Sequence, residues 1–158
     1  MIRIGNAIDI HKYVKDRKLV LGGVEIDFEY GLLGHSDADV VIHSVCEAII
    51  GALGLGDLGK HFSDQDPKYK GIDSKLLLSE VVKLMEESSY EIGNIDITIV
   101  CEKPYLSEYK LLMKDNIGKI VKSNNVNIKA TRGEGLGFVG RVEGVFSMCT
   151  LLLMKKER

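Results

Sequence analysis

The run RVEGVFSMCTLLLMK, Arg141 to Lys155, sets the hardest condition on the fold. Alternate residues of a strand point to opposite faces, yet apolar residues occupy both parities from Met148 to Met154. Such a strand suits a sheet buried on both faces. A chain of 158 residues is long enough for one real core, but a monomer of that size would struggle to supply both covers.

The rest of the chain mixes strands and helices. RIGNAIDIH reads as a strand in which Ile4, Ile8 and Ile10 share one parity and can face a core, leaving Asp9 and His11 together on the other face. KLVLGGVEIDFE reads as a hairpin, because Gly22-Gly23 supplies the positive backbone angles of a tight turn. From Asp37 to Leu53, Val41, Val45, Ile49 and Ala52 recur at helical spacing until Gly54 stops the run. SKLLLSEVVKLMEES is a second helix, with Ser74 as its expected N-cap and Leu77, Val81, Leu84 and Met85 as its buried stripe. IDITIVC is a strand, SEYKLLMKDNIGKIVKSN a helix and NVNIKAT a strand. With no repeat, low-complexity segment or linker, residues 1–158 form one domain of α+β or α/β class.

Composition excludes several functions. No apolar run approaches the roughly 20 residues of a membrane span, and MIRIGNAIDIH lacks the basic flank and long apolar block of a signal peptide. A cytoplasmic protein is expected. The net charge of -2, with Lys and Glu interspersed, argues against nucleic acid as a partner. Cys46, Cys101 and Cys149 are far apart among apolar neighbours, as buried free thiols are.

Chemistry concentrates near the N-terminus. Asp9 and His11 project from one strand face, and Asp39 and His43, four apart on a helix, share another. Two histidines and a carboxylate on rigid elements suit a catalytic zinc with one open position. Against this stands the plainer reading of a hydrogen-bonded structural His and a helix-capping Asp. Crowding favours the metal: all four histidines fall in the first 61 residues, beside Asp9, Asp37, Asp39, Asp57, Asp64 and Asp66. GLGDLGKHFSDQDP is too long for a simple connector. KATRGEGLGFVGRVEG sets Thr131, Arg132, Glu134 and Arg141 among five glycines, where backbone amides and guanidinium suit phosphate and Glu134 suits a hard cation.

The pieces GNAIDIH, GGVEI, GLLGHSDADVVIH, GLGDLGKHFSDQDPKYKGIDS, GNIDITIVCEKP, NVNIKAT and GEGLGFVGR stand in an order and spacing that together resemble one family. It is the 2-C-methyl-D-erythritol 2,4-cyclodiphosphate synthase family of non-mevalonate isoprenoid synthesis, and the resemblance covers essentially the whole chain. It implies an α+β fold whose mixed sheet is covered on one face by helices, in a homotrimer with sheets packed around the three-fold axis. It implies zinc on Asp9, His11 and His43, with Asp9 and His11 also facing substrate, and a second cation, Mg2+ or Mn2+, on Glu134. His35 and Ser36 would grip the diphosphate. Asp57, Leu58, Gly59, Phe62, Ser63, Asp64, Gln65 and Asp66 would hold the methylerythritol portion. Cys101, Tyr105 and Leu106 lie in the segment that encloses cytosine. Thr131, Arg132, Gly133 and Glu134 form the phosphate loop, and Phe138 and Arg141 match the family's GF and GR positions. His35 and Arg132 occupy the catalytic positions.

The chain departs from the family at three places: Asn6-Ala7 before the zinc Asp, Tyr105 in place of Lys, and Arg132 in place of Thr. A guanidinium at 132 either turns to solvent or reaches a substrate phosphate. In the implied reaction, the 2-phosphate of 4-diphosphocytidyl-2-C-methyl-D-erythritol 2-phosphate attacks the β-phosphorus and CMP leaves. No protein nucleophile is needed; the work is charge neutralisation and positioning. The competing readings are a zinc phosphoesterase and a non-catalytic oligomer that binds nucleotides or prenyl diphosphates.

Overall fold

The computed structural model describes residues 1–63 and 65–157. Along the chain run β1 (Ile2–Val14), β2 (Leu19–Leu21), β3 (Val24–Ile26), β4 (Gly31–Leu32), α1 (Val40–Leu53), α2 (Leu58–His61), α3 (Ser74–Glu87), β5 (Tyr90–Val100), α4 (Lys110–Val121), β6 (Val126–Thr131), α5 (Gly137–Gly140) and β7 (Gly144–Lys155). Five strands make one sheet in the order β4-β1-β7-β5-β6. Among the described residues only the β5–β6 pair is parallel, so the sheet is mixed and the class is α+β. The hairpin β2-β3 stands apart and turns at Gly22-Gly23, with φ of 59° and 73°.

The helices cover one face. α1 lies on β1 and β7, α3 on α1 and β5, and α4 on β6 and α3. Beneath them Ile97, Ile99, Cys149, Leu151 and Leu153 are buried, against Val41, Ile42, Val45 and Ile49 of α1. β7 is therefore buried on one face within the single chain. Its other parity leaves Met148 and Met154 exposed.

The expected orientation of β1 is reversed. Ile4, Ile8 and Ile10 do share a face, but it is the uncovered one, and they are 69%, 55% and 49% exposed. The covered face carries Gly5 and Ala7, because α1 crosses so close that a Cβ at Gly5 would stand 2.0 Å from the Ala48 carbonyl oxygen. Helix starts also differ. Asp73, not Ser74, caps α3 by accepting from the Lys75 amide, and α1 begins at Val40, capped by Asp39. Leu84 is only half-buried, and Leu78 and Val82 join the stripe instead. The last strand starts at Gly144 rather than Arg141, since the preceding glycine-rich residues fold into α5. Cys46, Cys101 and Cys149 are buried free thiols, as expected.

Candidate metal centre

Asp9 and His11 leave β1 with the parity of Gly5 and Ala7, toward the helices, and His43 meets them from the first turn of α1. Asp9 Oδ2 lies 3.0 Å from His11 Nε2 and 3.2 Å from His43 Nδ1. One donor atom from each residue falls within 4.8 Å of the other two, a cluster compatible with a metal ion. Two imidazole nitrogens and one carboxylate oxygen are the donor set of an open catalytic site.

The surroundings orient the ligands. His11 Nδ1 is 2.6 Å from the Leu33 carbonyl oxygen, which can only accept, so Nδ1 carries a proton and Nε2 is the nitrogen that faces Asp9, donating to it when the ring is protonated and free to ligate a metal when it is neutral. Burial opposes ionisation of Asp9, but its hydrogen bonds and charge attraction with His11 and His43 outweigh that and hold the carboxyl far below the usual carboxylate range. Burial likewise opposes protonation of His11, yet its contact with Asp9 raises it above its ordinary value. Arg17 braces the adjoining loop by donating to the carbonyls of Gly34 at 2.8 Å and Ser36 at 2.7 Å.

Asp39 does not join the cluster. Its buried carboxylate accepts from the amides of Val41 and Ile42 and, across the core, from Gly22 and Gly23. Oδ1 takes three of these amides and Oδ2 the fourth, so Asp39 is committed to capping α1 and bracing the hairpin, and the carboxylate of the cluster is Asp9. Spacing four apart on a helix could not separate a ligand from a cap.

The remaining candidates fall into three groups. Ser36 is buried with Oγ 3.1 Å from His43 Nε2, while His35 is exposed beside it. Asp57 caps α2, whose Leu58 amide also donates to Glu47; Gly59 follows, and Phe62 packs edge-on to Tyr69. The Ser63 hydroxyl accepts from the Gln65 amide, Asp66 caps a short 3-10 turn at Pro67–Tyr69, and Asp64 lies outside the described residues. The third group follows β5 and β6. Cys101 and Leu106 are buried, Tyr105 is exposed, and the Arg132 guanidinium sits 5.8 Å from the Tyr105 ring centre. Arg132 also donates to Glu102 at 2.6 Å, so it neither turns freely to solvent nor stands unpaired. Thr131 ends β6, Gly133 and the exposed Glu134 follow, Phe138 lies on α5, and Arg141 pairs with Glu143. In one chain β7 and β5 separate β1 from β6, three ladder spacings or roughly 14 Å. The metal cluster and the Thr131–Glu134 loop thus form separate groups.

Sequence reasoning did not find Glu102 or Arg17, and it placed Ser74 only as a helix cap. Glu102 and Arg17 carry no local pattern, and their roles come from partners 30 and 17 or more residues away.

The YgbB family model matches residues 2–154. A 2-C-methyl-D-erythritol 2,4-cyclodiphosphate synthase of Finegoldia magna is 53% identical over 158 residues, 99% of each chain. Among solved structures, the bifunctional IspDF of Campylobacter jejuni superposes with a TM-score of 0.95 at 38% identity, covering 99% of this chain, which spans 43% of that one. IspF of Plasmodium falciparum in complex with CDP gives a TM-score of 0.86 at 32% identity, with 99% and 97% of the two chains covered.

Proposed function

This chain belongs to the YgbB family, and on that premise we propose that it converts 4-diphosphocytidyl-2-C-methyl-D-erythritol 2-phosphate to 2-C-methyl-D-erythritol 2,4-cyclodiphosphate with release of CMP. The observation that carries the reading is the cluster of Asp9, His11 and His43, assembled from two elements with a donor set suited to zinc. When bound, zinc would neutralise phosphate charge and draw electron density from phosphorus. Everything else asked of the chain is positioning.

The residues present fit that task. Ser36 Oγ accepts from the Ala38 amide at 3.1 Å and faces His43, which leaves its own proton for a phosphate oxygen. Exposed His35 adjoins it as a second donor to the diphosphate. Arg132, anchored to Glu102 through one nitrogen, keeps other N–H groups for phosphate, and Glu134 beside it would hold Mg2+ or Mn2+. Thr131, Gly133, Phe138 and Arg141 complete that loop. The Asp57–Asp66 segment would enclose methylerythritol, and Cys101, Tyr105 and Leu106 the cytosine. CDP in the Plasmodium relative supports a cytidyl ligand.

The reading includes a cytoplasmic homotrimer. Its support is the uncovered sheet face, where Ile2, Ile8 and Ile10 pair across the ladder with Met154, Met148 and Phe146. Packing these faces about a three-fold axis would bury them, and would let the Thr131–Glu134 loop of one copy complete the metal cluster of its neighbour. The test is product analysis: purified protein with substrate, zinc and Mg2+ gives the cyclic diphosphate and CMP in equal amounts. An open-chain phosphate identifies a phosphoesterase, and binding without turnover identifies a non-catalytic oligomer.

A further inference from the structure

His43 has two ring nitrogens with opposing demands. Nδ1 lies 3.2 Å from Asp9 Oδ2 within the ligand cluster. Nε2 faces the other way, 2.9 Å from Ser74 Oγ and 3.1 Å from Ser36 Oγ. Left to Asp9 alone, the ring would place its proton on Nδ1, where a carboxylate accepts it, and that tautomer has no lone pair for a metal.

Hydrogen-bond accounting decides between the tautomers. Ser74 Oγ has one proton, and a short hydrogen bond commits it to Asp37 Oδ1, an acceptor that cannot donate when ionised. Ser74 can therefore only accept from His43, which requires the proton on Nε2. Asp37 is itself fixed, because Oδ2 accepts from the Ser74 amide at 2.9 Å and Oδ1 from the Asp39 amide at 3.1 Å. Ser74 is fully buried, so water does not compete for its hydroxyl. Ser36 can accept from the same Nε2 without conflict.

We propose that Asp37 and Ser74 act as a positioning relay that holds the His43 proton on Nε2 and keeps Nδ1 free as a metal donor. The relay explains why a serine sits buried at the first position of α3 while Asp73 does the capping. It ties the metal cluster on β1 and α1 to the N-terminus of α3, a third element that supplies no ligand. The proposal rests on the reading of Asp9, His11 and His43 as ligands.

Zinc alone is the probe. Competition against a chromogenic chelator is expected to show zinc binding weakened about 10- to 100-fold in Asp37→Asn and Ser74→Ala, with thermal melting confirming that both variants fold. Imidazole nitrogen chemical shifts of the metal-free wild type at a pH where His43 is neutral are expected to report Nε2 protonated, a result that needs no variant. Wild-type zinc affinity in both variants, or a proton found on Nδ1, overturns the relay and leaves the metal reading standing. A wild-type protein that takes up no zinc overturns both.

Discussion

At Arg132 a guanidinium replaces the hydroxyl expected at that position, and the structure ties it to Glu102, whose side chain is 8% exposed. An anchored cation is preorganised, so Arg132→Thr should lower kcat and kcat/KM together by about 10²-fold, as for loss of a preorganised donor. Steady-state kinetics at saturating zinc and Mg2+ check this; a kcat within about twofold of wild type reduces Arg132 to a tie on its loop. The Asp9–His11 pair makes a prediction about pH. His11 is raised above 6.5 by Asp9, so its contribution to the stability of the metal-free protein is full below that value and is lost as pH rises through the raised one. Asp9 is depressed below 3.8, so its contribution is present above that value and is lost as pH falls through the depressed one. Metal-free protein should therefore melt at lower temperature as pH rises from below 6.5 through the raised His11 value. Zinc affinity should rise over the same range, since the metal displaces the His11 proton. Calorimetry with and without zinc measures both, and a flat melting temperature counts against the pair.

Among the elements, periodicity made most strands and helices legible, because each buries one stripe or one parity in a core it shares with its neighbours. Parity alone could not say which face of β1 meets that core. The deciding fact is how close α1 approaches, and Gly5 and Ala7 are its trace in the sequence. Gly5→Ala, usually a stabilising exchange in an exposed position, should here cost roughly 1–3 kcal/mol by forcing α1 off the sheet. Chemical denaturation tests it, and an unchanged midpoint would mean the crossing is not tight. The site divides in the same way. Asp9, His11 and His43 were readable from spacing on two elements. Asp39 passed as a ligand because a cap and a ligand occupy similar places in a helical pattern, and only the hairpin amides of Gly22 and Gly23, brought in by tertiary contact, tell them apart. Ser74 was legible as a helix start, but its link to His43 crosses 31 residues and leaves no local signal.

For the whole molecule, the question raised by the last strand returns at the uncovered face of the sheet. Ile2, Ile4, Ile8, Ile10, Met148 and Met154 lie together there, 37–69% exposed, the apolar face that the proposed trimer would cover. The trimer reading predicts a three-chain mass by light scattering. On that reading the metal cluster comes from one chain and the phosphate loop from the next, so Ile8→Glu should split the trimer and abolish turnover while each chain still binds zinc; an active monomer contradicts shared sites. The central claim is cyclisation inside the substrate rather than attack by water. Running the reaction in water enriched in heavy oxygen and weighing the products separates the two directly. The account predicts a cyclic diphosphate and CMP that both carry only the oxygens of the substrate, whereas heavy oxygen in either product would show water as the nucleophile and contradict it.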